Sequence, residues 1–192
     1  INGKPATGVV RTNLLQLERI ARLASYLPLE AGARGQLEAY SPRGKVANLN
    51  VQWQGTYEKP DNYKIKGQFE DLALNQVGAM PGFSGLSLDV DGSDTSGRLN
   101  INSHQLVVDA PGVMLEPLSF IILTGQAGWQ REHNELKITL DNTEVVNDDL
   151  AGNVYGSYQT QAGTLGVLDL TASLSRGDIR RAARYTPLIA LN

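Results

Sequence analysis

Asp89 to Asp94 (DVDGSD) gathers carboxylates and a serine into one short stretch, the kind of oxygen-rich loop that holds calcium. The spacing argues otherwise: glycine stands at the fourth rather than the sixth position, and Asn100 occupies the twelfth, where a bidentate Glu is required. Asp, Gly and Ser also make turns, and a hairpin turn is the reading adopted. Gly82-Phe83-Ser84-Gly85-Leu86 sets a serine between glycines, but a nucleophile elbow ends in Gly where Leu86 stands, and it precedes a helix. A hydrolase also needs a base, and the imidazoles available are His104 and His133, both at hairpin ends among polar residues and read as surface histidines. Arg176-Gly177-Asp178 is the tripeptide of integrin ligands; here Gly and Asp fit a strand-to-helix junction, with Asp178 as the cap. Arg180, Arg181 and Arg184 could meet lipid phosphates, although a solvated helix face is the simpler account. Cysteine is absent, which excludes a disulfide framework and thiol chemistry. A net charge of −3 with Lys and Arg thinly spread gives no footprint for nucleic acid. The chain is therefore expected to be no enzyme, with no metal and no cofactor.

What these residues leave unexplained is the architecture around them. Glu18 to Leu29 (ERIARLASYLPL) and Gly177 to Leu188 (GDIRRAARYTPL) align without gaps, with Ile20/Ile179, Arg22/Arg181, Ala24/Ala183, Tyr26/Tyr185, Pro28/Pro187 and Leu29/Leu188 coinciding. Each reads as a short amphipathic helix stopped by Tyr-x-Pro-Leu, since proline disfavours helical geometry in the residue before it. The recurrence predicts one unit of an array, the second copy opening the next unit. The expected division is a flexible start over 1–12, a helix over 13–29, an antiparallel β-region over 30–175 and a helix over 176–192. Asn13 would cap the first helix, with Gln16 at the capping-box position and Leu14, Leu17, Ile20 and Leu23 on its apolar face.

Between the two copies the hydrophobic period is 2, the signature of strands. Runs near Lys45–Gly55, Tyr63–Phe69, Leu86–Val90, Leu99–Ile101, Gln105–Asp109, Leu118–Trp129, Leu136–Leu140, Val145–Leu150, Val154–Tyr158 and Leu165–Leu174 give about nine or ten strands at meander spacing. Such a sheet has one apolar and one polar face, and two short helices cannot cover it. The apolar face must meet a second sheet, close into a barrel, or take a ligand. The alternating apolar positions, and so the candidate lining of a lipid groove, are Leu49, Val51, Trp53, Ile65, Phe69, Leu86, Leu88, Val90, Leu99, Ile101, Leu136, Ile138, Leu140, Leu168, Leu170 and Leu174. For Trp53 and Trp129 the sequence leaves open whether they pack a core or line that groove.

From Tyr40 onward the order of signals resembles the AsmA-like proteins of Gram-negative envelopes, most closely the YhdP-type members. The likeness rests on Pro42-Arg43-Gly44-Lys45-Val46, Leu49-Asn50-Val51-Gln52-Trp53-Gln54-Gly55, Pro81-Gly82-Phe83-Ser84-Gly85-Leu86-Ser87-Leu88, Pro117-Leu118, Gly128-Trp129, Leu168-Asp169-Leu170-Thr171-Ala172 and Tyr185-Thr186-Pro187. Tyr185-Thr186-Pro187 departs from the Tyr-Leu-Pro of the family, which Tyr26-Leu27-Pro28 keeps. The resemblance implies a mainly β chain, a curved antiparallel meander forming an elongated, taco-like apolar groove with a short helix near each end. It further implies a periplasmic protein, anchored in the inner membrane by a helix outside this segment, that moves phospholipid toward the outer membrane. The expected partners are phospholipid acyl chains, and both membranes through parts outside the segment. Edge-to-edge pairing of free strands is a further expectation. The alternative is a closed β-sandwich acting as a spacer or interaction module.

Overall fold

In the computed structural model, residues 7–23, 26, 31–56, 60–78, 80–111, 113–132, 135–161 and 166–185 are described. Alternating apolar and polar side chains, broken by turn residues, build one sheet in which every strand pairs with its neighbour in sequence: β1 (Thr7–Gln16), β2 (Arg43–Gly55), β3 (Pro60–Leu74), β4 (Gly82–Ser93), β5 (Ser96–Asp109), β6 (Leu118–Glu132), β7 (Glu135–Val146), β8 (Leu150–Gln159) and β9 (Val167–Gly177). All pairings are antiparallel. The sheet is open, with β1 and β9 as its edges. The closed sandwich is thereby overturned: no second sheet lies against the first among the described residues.

Left-handed residues mark where strands bend. Asn48 (φ 50°), Asp71 (φ 49°), Gln105 (φ 58°) and Asn142 (φ 37°) sit at or beside register shifts or mid-strand irregularities, mostly where a short polar side chain tolerates that backbone. These bulges let long strands curve without ending. Gln105–Asp109, expected as a separate short strand, therefore continues β5 from Ser96. Val145, expected to open a new strand, instead lies in the last two residues of β7.

The first helix is shorter than expected and the flexible start is ordered from Thr7. Thr7–Gln16 is strand, and α1 spans only Leu17–Leu23, so Asn13 caps nothing. Pairing Leu14, Leu15 and Gln16 with Ala47, Val46 and Lys45 satisfies the backbone of β2 along its outer edge, which a helix begun at Asn13 would have left bare. The stretch before β2, expected to belong to the β-region, holds a second helix, α2 (Ala31–Tyr40), despite the low helix propensity of Gly32 and Gly35. Leu27, Pro28, Leu29, His133, Pro187 and Leu188 lie outside the described residues.

After β9 the chain forms a 3-10 helix over Ile179–Tyr185. Asp178 caps it, accepting from the Arg180 backbone N at 3.1 Å and from the Arg180 guanidinium at 2.8 and 2.9 Å. The helix reaches back to the β7–β8 turn. Asp149, only 5% exposed, accepts from Arg181 Nη1 and Arg184 Nη1, each at 3.0 Å, and from the Tyr185 hydroxyl at 3.0 Å. Buried Asn147 donates to that hydroxyl at 2.7 Å while its Oδ1 accepts the N–H groups of Asp149 and Leu150. Arg176 donates to the carbonyls of Asp148 and Asn147. The residues of the Arg-Gly-Asp tripeptide are thus spent on this junction.

Two outcomes follow from the clamp. Asp149→Ala leaves Arg181, Arg184 and Tyr185 without their shared acceptor, and a loss of about 2 kcal/mol is expected in urea unfolding. The Tyr185 phenol is held above its ordinary pKa, first by lost solvation and then by donation to Asp149 and that carboxylate's charge, with Asn147 and Arg184 opposing. A folded pKa raised above the unfolded value of about 10 means that stability is fully present below it and is lost as pH rises through the folded value. The wild type should therefore lose stability above pH ~10 more steeply than Tyr185→Phe, measured by unfolding midpoints across that range.

Candidate functional site

Directly paired residues of an antiparallel sheet share a face, so the register gives the composition of each face row by row. One row runs Val10, Val51, Ile65, Gly92, Gly97, Trp129, Ile138, Tyr158, Leu168 across all the strands. Two residues along each strand from β3 to β9, the next is Gly67, Val90, Leu99, Ala127, Leu140, Gly156, Leu170. Leu49 joins it across the β2 bulge, its Cδ1 lying 3.0 Å from where a Cβ on Gly67 would stand. Val46, Phe69, Leu88, Ile101 and Gly125 begin a third row, continued beyond the β7 bulge by Thr143, Val154 and Ala172. Leu72 and Leu86, then Ser103, Leu123, Val145, Gly152 and Leu174, make a fourth. Trp53 pairs Tyr63 at one end of the sheet and Leu136 pairs Arg131. Every residue of the sequence-derived lining set falls on this one face.

The opposite face is polar by the same register. Asn50, Lys66, Asp91, Arg98, Gly128, Thr139, Ser157 and Asp169 form one row of it. Lys66 Nζ meets Asp91 Oδ2 at 2.8 Å, and the two hold each other exposed. The calcium-like stretch is accounted for here: Asp89 and Asp91 stand in β4, and Asp94 accepts from the Tyr63 backbone N at 3.2 Å. His104 is exposed in β5. Among the described residues no group of acidic and histidine side chains is placed to hold a metal.

Cover on the apolar face is partial. Val46 is 2% exposed, Val90 8% and Ala127 7%, whereas Leu168 at the β9 edge is 63% exposed, and every residue of β9 is exposed. α1 touches β2, where Gly44 N donates to Glu18 Oε2 at 3.3 Å. A hollow of about 1080 Å³ is lined chiefly by the polar face, with Asn50, Gln52, Lys64, Arg98, Gln126 and Lys137 among its walls.

Trp53 and Trp129 both pack against the sheet itself. A Cβ placed on Gly8 would stand 2.0 Å from the Trp53 ring, and one on Gly97 or Gly92 would stand 2.1 or 2.5 Å from the Trp129 ring. Each indole thus lies flat on glycine backbone of neighbouring strands, and Trp129 Nε1 donates to the Ser93 carbonyl at 3.1 Å. The glycines were the signal that the sequence carried for this, legible only once the register paired them with tryptophan.

The family model described as "YhdP protein" matches residues 1–192. No curated protein and no solved structure matches the chain. No helix among the described residues is long and apolar enough to cross a membrane.

Gly97→Val should expel the Trp129 indole from its seat. The expected result is a red-shifted tryptophan emission and a loss of about 2 to 3 kcal/mol in denaturant unfolding, the order found when close-packed sites are overfilled. Gly32→Ala, in open space on α2, is the contrasting variant and should leave both unchanged or slightly improved.

Proposed function

The chain belongs to the YhdP protein family, an envelope family connected with lipid transport, and from that premise we propose that its uncovered apolar face shields phospholipid acyl chains on their way between the inner and outer membranes. The observation that carries this reading is the register: rows of aliphatic and aromatic side chains, interrupted by glycine, Ser103 and Thr143 but by no charged residue, run from strand to strand, with no second layer over them among the described residues. Strands lie about 4.8 Å apart, so a row crossing the whole sheet spans about 38 Å. A bilayer core of about 30 Å is two tails deep, so one tail is covered by three or four neighbouring strands.

The energetics favour such a surface. Each methylene carried into water costs about 0.8 kcal/mol, so a chain of about 16 carbons faces a barrier of order 10 kcal/mol. Rows of Leu, Val and Ile remove most of that cost without a strong polar anchor, which keeps the energy nearly level along the path. The charged head group stays in solvent at the margin of the sheet. The protein acts without catalysis in this reading, in the periplasm, and is held to the inner membrane by a helix outside this segment. Both membranes are met through parts outside it.

The test uses the purified chain, native mass spectrometry and lipid extraction from the same sample. Phospholipid is expected to copurify, and the double variant Val51→Asp with Ile138→Asp, which puts two charges into one apolar row, should lose it while circular dichroism still reports a folded sheet. A lipid-free wild type, or lipid retained unchanged by the folded variant, sinks the proposal.

A further inference from the structure

The two helical copies are equivalent in sequence but not in their surroundings. Gapless alignment puts Arg22 on Arg181 and Tyr26 on Tyr185. In the second copy both side chains grip Asp149 in the Asn147-Asp148-Asp149 turn that opens β8. In the first copy neither has a hydrogen bond or ion pair among the described residues, and Tyr26 is 85% exposed. The strands before them correspond as well. β9 leads into the 3-10 helix as β1 leads into α1, and both are edges of the sheet. β9 has its strand partner in β8, whose opening turn is the one gripped, whereas the equivalent edge of β1 has no strand beside it among the described residues.

We propose that the free edge of β1, with Arg22 and Tyr26 beyond it, is a docking site for a β-hairpin of the β7–β8 kind, one whose turn carries Asn-x-Asp. The occupant is a hairpin of another unit of this design. Its strand would pair with β1, and its turn carboxylate would take Arg22 and Tyr26 as Asp149 takes Arg181 and Tyr185. Charge favours the match, since the turn offers two adjacent aspartates and α1 presents Arg19 and Arg22. Ser25 stands where Arg184 does, so this grip has one guanidinium fewer than the one already made. Pairing at β1 would carry the apolar rows across the joint without a break. The joint itself holds whatever those rows bind, so its test is independent of lipid.

A synthetic peptide of residues 135–159, which holds β7, the turn and β8, is titrated into the whole chain and followed by calorimetry and amide shifts. Binding is expected, with shifts along β1 and at Tyr26. Asp149→Asn in the peptide, and Arg22→Gln or Tyr26→Phe in the chain, should each weaken it about tenfold. Arg98→Gln on the polar face should change nothing. Absence of binding overturns the proposal, and so does binding that none of the three substitutions weakens, which would mean unspecific edge pairing. A second measurement avoids the peptide: residues 178–185 are exchanged for the 19–26 sequence, Arg-Ile-Ala-Arg-Leu-Ala-Ser-Tyr, which brings arginine and tyrosine to positions 181 and 185. Asp149→Asn should still lower the urea midpoint in that background. A graft that fails to fold, or one in which Asp149→Asn is silent, shows that the first copy does not read this turn.

Discussion

Side chains alternate across an antiparallel sheet, so pairing in register sorts them onto two faces, and any slip by one residue would exchange the faces. In this chain the sorting is nearly complete. The row through Val51, Ile65, Trp129, Ile138 and Leu168 is apolar, and the row through Asn50, Lys66, Asp91, Arg98 and Asp169 is polar. All else in the structure depends on keeping that register over long strands. The bulges at Asn48, Asp71 and Asn142 bend the strands at fixed places, and Ser103, with no exposure, locks another irregularity by bonding both the N–H and the C=O of Ser87.

Because the core is one face deep, local devices carry more of the specification than in a layered domain. Trp129 seated on Gly92 and Gly97 knits three strands together, since its ring comes from β6 and the glycines from β4 and β5. The Asp149 clamp does the same at the other margin, fastening a hairpin turn to the helix that follows β9. The arginines that could have faced lipid phosphates are engaged with carboxylates: Arg180 with Asp178, Arg181 with Asp149, and Arg184 with Asp149 and Glu116. In the function proposed, activity and architecture rest on the same property, for the face that lacks a covering layer among the described residues is the one offered to acyl chains.

The meander, the identity of the apolar positions and the repeated helix were all legible in the sequence, because a period of 2 and a recurring Arg-x-x-x-Tyr are properties of the chain read one residue at a time. Asp178 as a cap was legible for the same reason, since capping is settled within a few residues. Partnership across distance was not legible. Leu14 and Leu15 satisfy a helical pattern, yet the open backbone of β2 drew them into a strand. Asp148 and Asp149 look alike in sequence, and only folding buries Asp149 against Arg181, Arg184 and Tyr185. Periodicity fixes which side chains share a face. Which way the sheet bends, which glycine receives a tryptophan and which edge stays free depend on contacts between residues far apart in the chain, and those exist only in the tertiary structure.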